Sequence, residues 1–285
     1  MERLRDAVEL LDGPLDDAAA LAGNLRDLRR INHRLGGVDV SATAIAALAA
    51  HRDELTMLDV GTGGADIPAA LIARSRARGR RLRVVGIDSR PEVLAAAVAA
   101  RPAIATIEGL ELHVGDGRAL RYADRSFDIA HASLVLHHLE RDDALVLLRE
   151  MGRVARLGVV INDLDRSRMG WVGALLIGHL LTRNRLTRHD APLSVRRAYR
   201  PGELADMLRE AGLIPVRTVR ARSASGTPSR RLSIARTRPL WRTTRRIRMA
   251  RAICEPKYSG SSRCRDRRWR SGRGRTRGSP GWRGA

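Results

Sequence analysis

The hydrophobic rhythm of this chain changes once, near residue 55. Across "DDAAALAGNLRDLRRINHRL" (16–35), Leu21, Leu25, Leu28, Ile31 and Leu35 recur every three or four residues. That spacing predicts an amphipathic helix, ended by Gly36-Gly37. "VSATAIAALAAH" (40–51) predicts a second helix with Ser41 as its cap. Then short apolar runs take over. "TMLDVG" and "RLRVVGID" end in Gly and Asp, and each leads into an alanine-rich helix (67–78 and 91–101). "LELHVGD", "FDIAHASL", "GVVIND" and "IPVRTV" follow, most of them separated by helical stretches, and "RRLSIAR" reads as a last strand. Strand–helix alternation predicts a mostly parallel sheet with helices on both faces. Right-handed crossovers then bring the strand C-termini, and the ligand crevice, to one edge. No internal repeat interrupts the pattern.

Composition changes this picture only at the C-terminus. The formal net charge is +22, but residues 240–285 carry fifteen Lys/Arg against two acids. The body is therefore only mildly basic, and no specific nucleic-acid partner is expected from it. Beyond Pro239 the chain is rich in Arg, Gly, Ser and Trp and has no periodicity, so a disordered tail is expected. Lys257 is the one lysine, which fits GC-rich codons, and the abrupt change at the tail reads as the product of a shifted frame. Both cysteines, Cys254 and Cys264, lie there too. The body thus has no disulfide framework, thiolate nucleophile or cysteine metal site. "MERLRDAVELLDG" lacks a signal-peptide apolar core, and "WVGALLIGHLL" is too short to span a bilayer, so a cytoplasmic location is expected.

The candidate chemistry sits on the predicted sheet edge. "MLDVGTGGADIPAAL" (57–71) is a strand, a glycine turn and a helix start, and such a turn presents backbone N–H groups to a ligand. Gly61 and Gly63 match a dinucleotide fingerprint, but Asp66 stands where the third glycine belongs and disfavours a pyrophosphate. Asp59 before the turn suggests a ligand with a cationic part. Asp88 ends the next strand, placed to accept both hydroxyls of a ribose. Asp116, followed by Gly117 in "VGDGRAL", ends the third and suits an adenine amino group. Three acids on consecutive strand ends describe an adenosine joined to a charged amino acid rather than a polyphosphate.

"LDVGTGGADI", "VVGIDSRPEVL", "HVGDGRAL" and "SFDIAHASLVLHHL" together resemble, in order and spacing, the motifs of class I S-adenosylmethionine-dependent methyltransferases. The resemblance covers residues 40–220 and is densest over 57–140. The family's turn often reads D-x-G-x-G-x-G, where this chain has Ala65 at the last position and an extra Gly64. The resemblance implies a Rossmann-like α/β fold with a seven-stranded sheet and a final antiparallel strand. It divides the chain into an N-terminal helical cap (1–50), a methyltransferase domain (51–238) and the tail (239–285). It further implies S-adenosylmethionine as cofactor, with Gly61 and Gly63 at the methionine portion, Asp88 at the ribose, Asp116 at the adenine, and Ser133 and Leu134 at the methionine end.

For the acceptor, the sequence offers His137 and His138 after the fourth strand as general bases, His138 the preferred one. No metal-ligand spacing is present. "ASLVLHH" stands where an N-methyltransferase might carry Asn/Asp-Pro-Pro-Tyr, which argues against amide acceptors. "MGWVGALLIGHLLTRNRL" (169–186) reads either as a core or dimer helix or as a roof over an apolar acceptor, with His189 and Arg196 or Arg197 at its rim. The pattern is similar to quinone, phenolic-lipid and polyketide methyltransferases, so a small apolar phenol or quinol is expected. A catalytically silent cofactor-binding chain is the alternative. The sequence sets no oligomeric state.

Overall fold

The computed structural model describes residues 1–5, 7–49, 52–222 and 228–237, all within one compact unit, Met1–Arg242. The tail expected to be disordered lies outside the described residues. Two helices, α1 (Ala18–Arg34) and α2 (Gly37–Leu48), precede the first strand. Strands β1 (Glu54–Val60), β2 (Arg81–Asp88), β3 (Leu110–Val114), β4 (Phe127–Ser133) and β5 (Ala155–Leu164) follow. Helices α3 (Asp66–Arg76), α4 (Pro91–Ala100) and α5 (Arg141–Val154) lie between them. After β5 come α6 (Arg168–Leu176), a π-helical turn (Ile177–Leu181), α7 (Arg185–Arg197) and α8 (Pro201–Glu210). Strands β6 (Ile214–Arg222) and β7 (Pro228–Arg236) close the sheet.

The sheet order is β3-β2-β1-β4-β5-β7-β6, with β7 antiparallel to both of its neighbours and the other pairings parallel. The alternation predicted a mostly parallel sheet, and the resemblance implied its seven strands, Rossmann-like form and final antiparallel strand; the fold has all of these. Successive strand residues feed opposite cores, as the two-residue period requires. Met57, Ile129, Val160 and Ile234 pack with α1, α2, α3 and α4. Leu58, Ala130, Ile161 and Ala235 pack with α5 and α8. Burial on both faces is why β4 and β5 read as continuous apolar runs.

Two helix boundaries differ from expectation. Gly36 adopts φ 79° and starts α2, so the glycine pair forms a tight corner between α1 and α2. Ser41 therefore lies inside α2 and caps nothing; its hydroxyl is fully buried and used elsewhere. The apolar segment 169–186 is broken into α6, the π turn and the start of α7, and α6 contains no buried residue.

Leu148 on α5 is completely buried, whereas Leu180 in the π turn is 74 % exposed. Leu148→Ala should lower unfolding free energy by about 2–5 kcal/mol, through lost burial and a residual cavity. Leu180→Ala should change it by no more than about 0.5 kcal/mol. Urea-unfolding midpoints of the two variants check both values.

Candidate active site

Between β1 and β4 the strand order reverses, and the loops leaving those two strands open a crevice there. The turn after β1 takes left-handed backbone at Gly61 (φ 67°), Gly63 (φ 53°) and Ala65 (φ 49°). A Cβ on Gly61 would stand 2.4 Å from Val135 Cγ2, so the loop after β4 packs directly on the turn. A Cβ on Gly63 would meet nothing within 4 Å; that side is open. The Gly63 N–H donates to Asp88 Oδ2 (3.0 Å) and the Arg90 N–H to Asp88 Oδ1 (3.1 Å). Asp88 is thereby fixed in place, and each oxygen keeps a further lone pair. Burial pushes its pKa up, and the nearby Asp59 charge adds to this, against the two backbone donors.

Asp59 is buried at the end of β1 and is the register partner of His131 on β4. His131 Nδ1 donates to Asp59 Oδ1 (2.5 Å), and its Nε2 meets Ser41 Oγ (2.8 Å). Ser41 Oγ in turn accepts from Asn162 Nδ2 (3.0 Å). This polar chain ties β1, β4, α2 and β5 together beneath the crevice. His131 was missed in the sequence, although a histidine interrupting the apolar run "FDIAHAS" is itself a signal of a buried polar partner.

β4 ends at Ser133, and Leu134 follows with φ 59°, a conformation costly for a leucine and recurrent at functional sites. His137 is buried, with Nδ1 2.7 Å from Asp163 Oδ1. A carboxylate only accepts, so Nδ1 carries the proton. Burial pushes Asp163 up, but the His137 charge and hydrogen bond outweigh it and hold Asp163 below the usual carboxylate range. The His138 ring lies 2.8 Å from Asp12 Oδ1 and 3.9 Å from Glu9 Oε2. Burial pulls His138 down, but the Asp12 hydrogen bond and the charges of Glu9 and Asp12 prevail, and its pKa is raised. Arg197 completes this cluster through Asp12 (2.8 Å), Glu9 (3.4 Å) and the His138 carbonyl (2.7 Å). Ligand-type atoms of Glu9, His137 and His138 lie within 4.8 Å of one another. Protein partners already engage each of them, including Ser194 on Glu9 (2.7 Å).

These elements enclose a cavity of about 800 Å³. Its floor contains Asp59, Gly61, Gly63, Asp88 and Ser133; His137 and His138 stand along it, with Glu9 and Asp12 of the N-terminal segment beside them. Its outer wall is largely apolar, with Leu28, Ile31 and Leu35 of α1 facing Gly173, Ala174 and Ile177 of α6 and the π turn. Thr62 Oγ1, Ser133 Oγ, Asn24 Oδ1 and Asn32 Oδ1 line it or belong to lining residues and are buried without a hydrogen-bond partner. Asp116 and Gly117 do not line it. The Asp116 carboxylate is taken by Arg118 (2.9–3.2 Å), and a Cβ on Gly117 would collide with Val60 and Leu147, which makes this a packing glycine. His189 also stays outside the lining, paired with Asp190 (2.8 Å).

Comparison with known proteins agrees with this geometry. Residues 58–161 match the family described as "Methyltransferase domain". A search of curated proteins gave no match. Among solved structures, the fold is similar to a SAM-dependent methyltransferase from Aquifex aeolicus, with TM-score 0.55 and 18% identity over 76% of this chain and 98% of that one. It is also similar to magnesium protoporphyrin IX methyltransferase from Synechocystis with bound SAH, with TM-score 0.52 and 17% identity over 80% and 90% of the two chains. An O-methyltransferase family 2 protein from Planctomyces limnophilus, in complex with apigenin, has TM-score 0.55 and 18% identity over 79% and 62%. At these identities the structures speak to the fold, and the matched segment speaks to the family. Residues 58–161 thus match a methyltransferase domain, and the fold around them is that of class I S-adenosylmethionine-dependent methyltransferases, whose cofactor is S-adenosylmethionine.

Proposed function

We propose that this protein transfers a methyl group from S-adenosylmethionine to an oxygen or carbon of a small, apolar acceptor of phenolic, quinol or polyketide type. One observation carries the reading: a single cavity joins a polar floor at the strand ends to an apolar wall outside the sheet. Its volume is of the size that small-molecule sites use. The donor group supplies an activated sulfonium methyl, so the protein's own task is alignment and, for a weak acid, proton removal.

In this reading the spare lone pairs of Asp88 accept the ribose hydroxyls, and the open side of Gly63 admits the donor against the turn. Asp59 keeps one oxygen for the amino group while His131 holds the other. Asp116 reaches an adenine only by releasing Arg118. Of the two histidines we take His137 as the base, because Asp163 holds its Nδ1 and so orients the ring, and its Nε2 is the atom that would accept the proton. His138 is the preferred base on sequence grounds, but its ion pair with Asp12 favours the charged form, which cannot accept a proton.

Titration with S-adenosylhomocysteine tests the donor half. Asp88→Asn should weaken binding by about 2–3 kcal/mol, roughly 30- to 150-fold. Unchanged affinity in a folded variant removes Asp88 from the site. His137→Ala should lower turnover on an apolar phenol by roughly 10²-fold or more, with S-adenosylhomocysteine affinity kept within a few-fold. Binding without turnover on any such phenol overturns the acceptor assignment and leaves a silent cofactor-binding chain.

The assignment of His138 to an ion pair has its own pH signature. Its folded pKa is raised, so its stabilisation is fully present below the ordinary value of 6.5 and is lost as pH rises through the folded value. Asp12 is depressed, so its share is lost only as pH falls below the usual carboxylate range. His138→Gln should therefore destabilise most near pH ~6 and progressively less toward pH ~9, read as the difference in urea midpoint from the parent. A constant difference across that range would show that the pair does not form.

A further inference from the structure

We infer that α6 and the π turn after it form a docking surface for an anionic lipid bilayer, which seats the mouth of the cavity on the membrane. Of the eleven large hydrophobic side chains exposed among the described residues, five fall between 169 and 181: Met169, Val172, Leu176, Leu180 and Leu181. The first four follow one another at intervals of three, four and four residues, which is a single helical face. The adjoining face, with Gly173, Ala174 and Ile177, lines the cavity. The segment is thus apolar all round, yet no residue of α6 is buried. A helix of that kind needs cover on its outer side.

Charge identifies what covers it. Residues 166–189 contain five arginines and no Asp or Glu. Arg168 precedes the apolar face, and Arg183, Arg185 and Arg188 follow it; all four are exposed. Half-buried Trp171 sits within the segment, an amphipathic ring suited to a headgroup layer. A second copy laid on this face would bring like-charged arginines together, whereas an anionic headgroup layer accepts apolar insertion and cationic rim at once. The segment is also too short to cross a bilayer, and no helix of the described residues is long and apolar enough to do so. It lies in the interface instead. Met169, Leu176 and Leu181 are exposed and also line the cavity, so this surface is where the cavity opens. An apolar acceptor would pass from the acyl layer into the site without crossing water. The inference goes beyond the methyl-transfer reading and does not need it, because docking involves neither donor nor turnover.

Because residues 240–285 are strongly basic and could hold the full chain on anionic vesicles, the test reads position rather than co-sedimentation. In the full chain with Cys254→Ser and Cys264→Ser, an environment-sensitive fluorophore is attached at Leu180→Cys. A second protein carries it at Ala103→Cys, an exposed site next to β3 at the other edge of the sheet. With phosphatidylcholine vesicles containing phosphatidylglycerol, the Leu180 label should shift to the blue and be quenched by lipids spin-labelled near the headgroup. The Ala103 label should do neither. Adding Arg183→Glu and Arg185→Glu should lower the inserted fraction roughly tenfold. An unresponsive Leu180 label on vesicle-bound protein overturns the proposal. So does a blue shift that grows with protein concentration in the absence of vesicles, since the face would then be covered by a second copy. Failure of the methyl-transfer reading would instead appear in the S-adenosylhomocysteine titration, which contains no lipid.

Discussion

A carboxylate buried between two parallel strands must be given a partner, and much of this molecule's geometry follows from how Asp59 obtains one. An unpaired charge there would cost several kcal/mol, enough to cancel most of a domain's stability. His131 provides the partner from the directly opposed position on β4, and Ser41 and Asn162 carry the chain onward to α2 and β5. A one-residue slip of β4 against β1 would turn His131 to the other face and strand Asp59. The network thus opposes register error at the one place where strand order reverses. The crevice above it opens between the same two strands, so the constraint that fixes the sheet also fixes the floor of the site.

The two halves of the site were legible to different degrees, for a physical reason. The donor half is built from turns that follow directly on strands. Gly61, Gly63, Asp88 and Ser133 could therefore be assigned from local pattern, and all of them line the cavity. The proposed acceptor half is built across long sequence separations. Glu9 and Asp12 meet His138 and Arg197, and Asp163 meets His137, contacts that no short window contains. Asp116 shows the limit of local reading even within the donor half. The strand-end position was identified, but Arg118, two residues on, takes its carboxylate. Ser41 shows the converse, for a plausible cap turned out to serve the core.

The N-terminal elements are held by two different kinds of force. Leu21, Leu25, Val38 and Ala44 of α1 and α2 share one apolar cluster with Met57 and Ile129 of the sheet. Residues 3–13 are tied mainly by polar contacts instead. Arg3 reaches Glu140, Arg90 donates to the carbonyls of Leu11 and Gly13, and Asp190 accepts from the N–H groups of Leu10 and Leu11. Val8 is largely exposed, and of this segment Leu11 packs against the apolar cluster. Such a strap opens at a lower free energy than the packed core beneath it. Glu9, Leu11 and Asp12 of this strap line the cavity beside His138.

That difference gives the site its logic. The donor floor rests on strand ends that cannot move without breaking the sheet, which suits a reaction whose rate depends on alignment. The proposed acceptor wall rests in part on the unburied helix α6 and on the polar strap, elements that can adjust without costing the core. Under the proposed function, a rigid floor with an adaptable wall would let one chain hold a constant donor and still admit a bulky apolar acceptor. Apolar residues on both sides of α6 are then not a packing defect. On the two proposals made above, its inner face would serve the acceptor and its outer face would meet the phase in which such an acceptor dissolves.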